Sequence, residues 1–467
     1  MFTSSLPSGE QMIKSRPCVA VAFTLVAASL GLAVVRDPLL AAAPLAVIGL
    51  VLLTQSAVAR SAFVIFGGLA TLQSSQNLDA TKLAYLLGSG VALSVACLSL
   101  ADYQSAPWRP LLDPLFRASA VWIALILLSS MVAYGSGTPL STWLRDAIPY
   151  LLFACVPILV HDLRARSAGN WLLPLFVVAG TLGTAAFAVE WVRRRQYVDL
   201  PIDRLLLSSF LLPVAIYCYA LASALHGRRR VWLWASLAAL VLALYAVTGT
   251  RTSMILLFVP FAVVPGGEGT ARRCGRLVAL GAVIVVVSLL VVQLLGQVTT
   301  FNPAESMSRL RSITDVFGSS AAGQSYTERA LQTRASWEAF RAAPLFGVGP
   351  GYQFHWFTDF SGARSAFNID SPLAIAAKFG LLGIITLGYT AGQYWRALRA
   401  LRSNSASFVN QAALRGFLLV VGAFSLLGSA FEDKGLSFAL IFLIVLGAFG
   451  VPTWTPSGGM TQTSKDS

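Results

Sequence analysis

The sequence predicts an all-α polytopic membrane protein, a bundle of about 12 to 14 transmembrane helices with one large, partly helical external loop. Hydrophobic residues make up 56% of the 467 positions and charged residues only 12%, whereas soluble domains are about one-quarter charged. Apolar stretches of about 17 to 25 residues, enough for a helix to cross about 30 Å of hydrocarbon, recur along nearly the whole chain. A soluble core could not bury so much apolar surface, so lipid is the solvent that explains the composition.

Span length and hydropathy place the helices in order along the chain. They are expected at about 18–35, 38–58, 61–73, 81–100, 118–135, 147–162, 170–191, 205–225, 231–248, 252–265, 277–295, 372–394, 411–430 and 436–451. The third span is short and runs into a polar stretch, so a re-entrant segment or half a helix is also consistent with it. The chain then divides into helices 1 to 11 over residues 1–295, an external loop over 296–371, helices 12 to 14 over 372–451 and a disordered cytoplasmic tail over 452–467.

The formal net charge of +14 does not indicate a nucleic-acid partner, because most arginines sit in short clusters between apolar spans. Cytoplasmic loops of membrane proteins carry this bias. With the N-terminus placed inside, every alternate loop is basic, which supports both the span count and the orientation. The arginines concerned are Arg60; Arg109 and Arg117; Arg164 and Arg166; Arg228, Arg229 and Arg230; Arg272, Arg273 and Arg276; and Arg396, Arg399 and Arg402.

The loop over 296–371 is far longer than most connections in compact proteins, and structured loops of this length usually carry function. Met307, Leu310, Ile313 and Phe317 are spaced as one face of a helix. A second helix is expected over Tyr326 to Ala342, ending before Pro344. The sequence PLFGVGPG at Pro344–Gly351 then predicts a tight turn with an accessible backbone. Two or three short helices are expected to cover the mouth of the bundle.

Two arginines lie at predicted external helix ends, where the topology gives no reason for them. Arg251 stands in TGTRTSM among threonine and serine hydroxyls, and a guanidinium in such surroundings suits a phosphate. The alternative is that Arg251 extends from a helix end to lipid headgroups. Arg204 opens the eighth span and would supply a second guanidinium on the same face.

Three segments together resemble the O-antigen polymerase and ligase superfamily: TGTRTSM, ERALQTRASWEAFRAAPLFGVGPG in the loop, and NIDSPLAIAAKFGLLG at the next span. The resemblance covers roughly residues 200–450. It implies an inverting glycosyltransferase of the GT-C type that needs neither a metal nor a cofactor. The implied donor is an undecaprenyl-diphosphate-linked glycan and the acceptor another glycan, at the outer face of a bacterial inner membrane, with membrane lipids and a chain-length regulator protein as further partners.

The resemblance also assigns roles to residues. Arg251 and Arg204 match the family arginines that grip the donor diphosphate, and Arg329 falls where the family commonly places a loop arginine. Ligases and many polymerases carry His–Asn about eleven residues before the glycine corresponding to Gly380, and those positions here are Ile369 and Asp370. Some polysaccharide polymerases have an aspartate there, so the resemblance favours a polymerase.

Asp370 is then the leading candidate for the base that takes the proton of the acceptor hydroxyl. The rival interpretation makes Asp370 the N-cap of a helix starting at Ser371, with Pro372 in its first turn. His355, in YQFHWF, is the reserve base, although the surrounding aromatic residues could equally stack on sugars or pack against each other.

Four more charged residues are candidate contacts for the acceptor glycan: Arg334 in the loop, and Glu432, Asp433 and Lys434 in FEDKG between the last two spans. Arg334 and Arg341 could instead belong to a solvated helix face, and the FEDKG charges could pair with each other.

Two alternatives to a polymerase remain open. A ligase of the same superfamily would transfer glycan to lipid A core, and the missing histidine speaks against it. A transporter or flippase of lipid-linked sugars would need ionisable groups within the membrane, and the sequence suggests few of them. The large external loop also favours an enzyme.

Overall fold

The computed structural model describes residues 49–71, 80–106, 108–165, 211–226, 231–248, 321–358, 362–366, 369–403 and 408–449, with a few isolated positions between 256 and 293. Helices form almost all of this part of the chain. They are α1 Ala57–Ala62, α2 Gly68–Thr71, α3 Ala80–Leu98, α4 Arg109–Gly135, α5 Leu140–Ala154, α6 Val156–Ala165, α7 Leu211–His226, α8 Val231–Thr248, α9 Ala321–Ala342, α10 Ala374–Ser403, α11 Phe408–Leu427 and α12 Gly435–Phe449. A π-helical turn over Phe63–Gly67 joins α1 to α2.

Four helical segments among the described residues are long and apolar enough to cross a membrane: Lys82–Ser105, Arg109–Gly135, Ala374–Leu401 and Val409–Leu427. The number rises to six if each of two bent helix pairs is one span. The all-α polytopic fold is therefore confirmed. The total of 12 to 14 spans stays a prediction, because several predicted spans lie outside the described residues.

Two predicted spans are broken. The segment 147–162 is occupied by α5 and α6, which bend by 44° around Cys155. The second break lies at Ser56, near the end of the second predicted span, where Ala57–Gly67 turns by 117° from the preceding helix, Gly49–Gln55. The re-entrant or half-helix alternative for the third predicted span stays a prediction.

Arg60 does not lie in a basic cytoplasmic loop as predicted. Its guanidinium is fully buried and forms a two-pronged ion pair with Asp162, with Nε–Oδ2 at 2.8 Å and Nη2–Oδ1 at 2.6 Å. A bidentate arginine–carboxylate pair is the geometry that best compensates a buried charge. Arg60 therefore connects α1 to α6 and is not one of the arginines of an exposed basic loop.

The described part of the segment 296–371 contains one long helix and a β-hairpin. α9 includes the predicted helix and is described from Ala321, five residues before Tyr326, whereas the predicted helix around Met307 lies outside the described residues. The unpredicted hairpin pairs β1, Phe354–Thr358, with β2, Gly362–Ala366. Phe354 packs into a small apolar cluster with Ala339 of α9 and with Ile369, which attaches the hairpin to both neighbours.

Candidate functional site

The segment Pro344–Gly351, here called the glycine turn, lies directly on the backbone of α10. Val348 N donates to Ala377 O at 2.9 Å, and Gly349 N donates to Lys378 O at 3.0 Å. α10 is interrupted just there, because Gly380 has φ 64° and ψ −154°. A side chain at Gly347 would overlap the Lys378 carbonyl. The prediction of a turn is confirmed, but the prediction that its backbone is exposed is wrong, because Gly347, Gly349 and Gly351 are buried. The glycines instead allow two main chains to touch.

Three ionisable side chains meet beneath this turn and form what we call the buried ion cluster: Lys378 of α10, Asp146 of α5 and Glu432 after α11. Lys378 Nζ lies 2.7 Å from Asp146 Oδ1 and also binds Glu432 Oε1. Their side chains are 0%, 1% and 6% exposed. Buried charges persist when they are paired and hydrogen-bonded, so this cluster ties three distant segments together.

The remaining oxygens of the two carboxylates also find donors. Asp146 Oδ2 accepts Gly351 N at 2.7 Å, so the glycine turn is bound to α5 as well as to α10. Glu432 accepts the Ser429 hydroxyl at 3.3 Å and the Tyr150 hydroxyl at 3.4 Å. Burial raises the pKa of Glu432 to about 7, with Lys378 opposing the rise and Asp146 adding to it. Both carboxylates are therefore hydrogen-bonded to donors of the protein itself.

Asp370 lies at the edge of this region, and its carboxylate is more accessible than those of Asp146 and Glu432. Its Oδ2 is 2.8 Å from Arg329 Nη2, and its side chain is 24% exposed. Its backbone N–H donates to Gln332 Oε1 at 2.7 Å, which fixes the main chain to α9. The N-cap alternative is not what the structure shows, because the Ser371 hydroxyl accepts the N–H of Leu373 at 3.1 Å.

A short chain of contacts links Asp370 to the buried ion cluster. The Ser429 hydroxyl that contacts Glu432 also lies 3.0 Å from the carbonyl oxygen of Ile369, the residue before Asp370. Gly428 lies so close to Asp370 that a side chain there would overlap Oδ1 of the carboxylate. The segment after α11 therefore helps to position Asp370 from the side opposite α9.

Asp433 binds backbone amides rather than another side chain. Oδ2 accepts Leu211 N of α7 at 2.9 Å, and Oδ1 accepts Gly435 N, at the first residue of α12, at 2.7 Å. Burial raises the pKa of Asp433 to about 7, and the two amides act in the other direction. Asp433 thus connects α7 to the start of α12.

The structure brings together some of the sequence-predicted residues and not others. Arg329 and Asp370 form a pair, and Glu432 and Asp433 lie in the same region but point into the protein. Arg334 is 76% exposed and pairs with Glu338 on the outer face of α9, as the solvated-face interpretation expected. His355 is on the exposed side of the hairpin. Arg204 and Arg251 lie outside the described residues.

Lys378 and Asp146 were missed as members of the site. A signal was present in the sequence, because Lys378 is a single charge in the apolar segment AIAAKFGLLG, and an ionisable residue within a span is by default a functional candidate. Arg60 and Asp162 are a second buried ion pair that the sequence did not single out.

Comparison with known proteins gives one family. The family model described as O-Antigen ligase matches residues 235–388, which include the glycine turn, Asp370 and Lys378. A search of curated proteins found no match. The matched segment is about a third of the chain and is similar to the O-antigen ligase family. Together with the all-α membrane fold, it supports the resemblance to the O-antigen polymerase and ligase superfamily.

Proposed function

We propose that the protein is a polysaccharide polymerase. It would join undecaprenyl-diphosphate-linked repeat units into O-antigen, capsule or exopolysaccharide at the outer face of the bacterial inner membrane. The observation that supports this most directly is the contrast between Asp370 and its acidic neighbours. Asp146, Glu432 and Asp433 are buried and bound by protein donors, whereas Asp370 keeps about a quarter of its side chain exposed beside the family's glycine turn.

The position of Ile369 favours a polymerase over a ligase. The superfamily's histidine would stand at this position, but Ile369 is 2% exposed and belongs to the apolar cluster formed with Phe354 and Ala339. A side chain in that cluster cannot reach a substrate. Asp370 points the other way, toward Arg329, so the proton-accepting role falls to the next residue along the chain.

The proposed reaction is an inverting transfer. The acceptor hydroxyl oxygen attacks the anomeric carbon of the donor sugar, the bond from that carbon to the diphosphate oxygen breaks, and the hydroxyl proton passes to Asp370. Arg251 and Arg204 would bind the departing diphosphate, with Arg329 holding the Asp370 carboxylate in place. Charge that grows on the leaving group is stabilised by such guanidinium groups more strongly in the transition state than in the ground state.

The test uses the purified full-length chain with a lipid-linked repeat unit. Asp370→Asn should abolish chain lengthening, because an amide cannot accept the proton, while the variant still binds the donor. Glu338→Gln is the matched control, since Glu338 is an exposed carboxylate of α9 that pairs with Arg334. Full activity of Asp370→Asn would move the base to His355 or to the substrate itself.

A deletion strain separates the superfamily's two activities. Loss of a polymerase leaves single repeat units attached to the final acceptor, whereas loss of a ligase leaves unattached polymer. The same purified protein also decides between catalysis and transport, because a transporter would move the lipid-linked donor without changing its length.

A further inference from the structure

The glycine turn presents apolar side chains at its surface while its glycines are buried. Leu345 is 53% exposed and Phe346 is 44% exposed, and Pro344 before them is exposed as well. Large apolar side chains that lie side by side at a surface usually mark a contact with a partner or with a membrane. The surroundings of the turn favour the membrane.

The apolar surface continues on α10. The first turns of this helix after the break at Gly380 have three exposed apolar residues, which are Leu381, Ile384 and Ile385. α10 is long and apolar enough to cross a membrane, so acyl chains are the expected neighbours of this face. Leu381 N donates to Pro344 O at 2.8 Å, and Leu382 N donates to Leu345 O at 3.3 Å. The turn therefore lies at the same level as the lipid-facing residues of α10.

The other end of α10 gives the depth of the turn. Trp395, Arg396 and Arg399 are exposed there, and Cζ of Arg399 lies 5.5 Å from the centre of the Trp395 ring. Tryptophan and arginine are typical of a membrane–water boundary, and arginines mark the cytoplasmic one. Leu381 precedes Trp395 by fourteen residues, which is about 21 Å of helix, whereas the hydrocarbon layer is about 30 Å thick. The turn thus lies about 9 Å inside the opposite boundary, and a tilt of α10 places it deeper.

The backbone of the turn meets the requirement that hydrocarbon imposes. Non-helical backbone at membrane depth is tolerated where protein groups pair with its N–H and C=O groups. Acceptors within the protein, at 2.7 to 3.0 Å, bind the N–H groups of Gly347, Val348, Gly349 and Gly351. Pro344 and Pro350 have no N–H, and the carbonyl groups of Pro344 and Leu345 accept from α10. A loop surrounded by water could leave such groups to the solvent.

We propose that the glycine turn is a re-entrant element of the outer leaflet, in which Leu345 and Phe346 contact the acyl chains of the bilayer. This part of the segment 296–371 then lies below the membrane surface and not outside it. Arg341 is exposed in the last turn of α9, four residues before Leu345, and its long side chain extends to the phosphate headgroups above. The proposal goes beyond the proposed function and holds whether or not the protein transfers sugar.

Spin labels measure the depth of the turn. Leu345→Cys and Phe346→Cys, each in the full-length chain with its five native cysteines replaced by alanine, receive a nitroxide label in lipid nanodiscs. Oxygen concentrates in hydrocarbon and a nickel chelate stays in water, so both labels should collide more often with oxygen than with the chelate. Ile385→Cys, on the lipid-facing side of α10, is the matched control and should show the same preference. Arg334→Cys, at the exposed pair on the outer face of α9, should show the reverse.

If a labelled chain is misfolded, photo-crosslinking of the unmodified chain gives the same test. The protein is reconstituted with a phospholipid that carries a diazirine midway along one acyl chain, illuminated and digested with trypsin. The peptide 342–364 should carry the lipid within residues 344–346. The peptide 379–396, which contains Ile384 and Ile385, is the internal reference.

The result that overturns the proposal is a preference for the chelate at positions 345 and 346, as at position 334. A peptide 342–364 without lipid beside a modified peptide 379–396 has the same meaning. Labels that neither oxygen nor the chelate reaches would show that protein, either a second copy or another part of this chain, covers the two side chains, and this outcome would also refute the contact with lipid.

Discussion

Lys378 Nζ and Asp146 Oδ1 lie 2.7 Å apart although the two residues are 232 positions apart in the chain. The lysine belongs to the segment on which the glycine turn is seated, and the aspartate binds the last glycine of that turn. This one contact therefore holds the matched family segment against a helix outside it. It also places Arg145 and the segment after α11 beside the proposed catalytic edge.

Removing the Lys378 charge should destabilise the fold. In Lys378→Met two carboxylates would stay buried without their cation, and breaking a buried ion pair on one side typically costs about 3–5 kcal/mol. Thermal unfolding in detergent measures the loss. Glu338→Gln, which breaks an exposed pair, should lower stability by at most about 1 kcal/mol. Equal melting temperatures for Lys378→Met and the parent would show that the cluster contributes little to stability.

Gly347→Ala should detach the glycine turn from α10. The position has φ +70°, and the added methyl group would overlap the Lys378 carbonyl, so the two backbones would have to separate. Transfer activity should fall sharply and protease cleavage near residues 344–351 should increase. Gly388→Ala is the control within α10, because no other atom lies within 4 Å of the added Cβ. Its activity should equal that of the parent.

Arg329 and Asp370 should behave as one functional unit. Arg329→Met should lower kcat by about ten- to a hundredfold, because the 2.8 Å contact that orients the carboxylate is lost. Combining Arg329→Met with Asp370→Asn should reduce the rate no further than Asp370→Asn alone. A double variant whose losses simply add would mean that the arginine acts on the donor independently of Asp370.

Stability should depend on pH through Lys434. The pKa of this lysine is lowered to about 8, first by burial and then by the charges of Arg145 and Lys82, with Asp433 opposing. The unfolded lysine, with a pKa of about 10.4, binds its proton over a range in which the folded lysine has lost it, so the Lys434 contribution to stability rises from about pH 8 to pH 10. Thermal unfolding in detergent at several pH values measures this change.

The matched variant for that experiment is Lys434→Arg. A guanidinium stays charged throughout this range, so the variant should lack this rise. A rise in stability that persists in Lys434→Arg would assign it to another group.

The sequence alone determined the class of the protein, its family segment and the backbone role of the glycine turn. Apolar span length, the density of glycine in PLFGVGPG and the segment NIDSPLAIAAKFGLLG are local properties, and each constrains the chain within a few residues of itself. Asp370 was proposed from the resemblance to the superfamily, because Ile369 and Asp370 stand about eleven residues before Gly380. Its rival role as a helix cap could not be excluded by spacing, since a cap and a base are both carboxylates that precede a helix.

Only the tertiary structure decided which charged side chains are buried against other protein groups and which stay accessible. Glu432 and Asp433 lie beside Lys434 in FEDKG, yet Glu432 binds Lys378 and Asp433 binds backbone amides of α7 and α12. Lys434 instead experiences the charges of Arg145 and Lys82. The sequence also left Arg60 in a loop, where its buried partner Asp162 places it in the core. The physical reason is the same in each case. The free energy of a charged side chain depends on the partners and the burial that distant helices provide, and neither can be inferred from the residues next to it in the sequence.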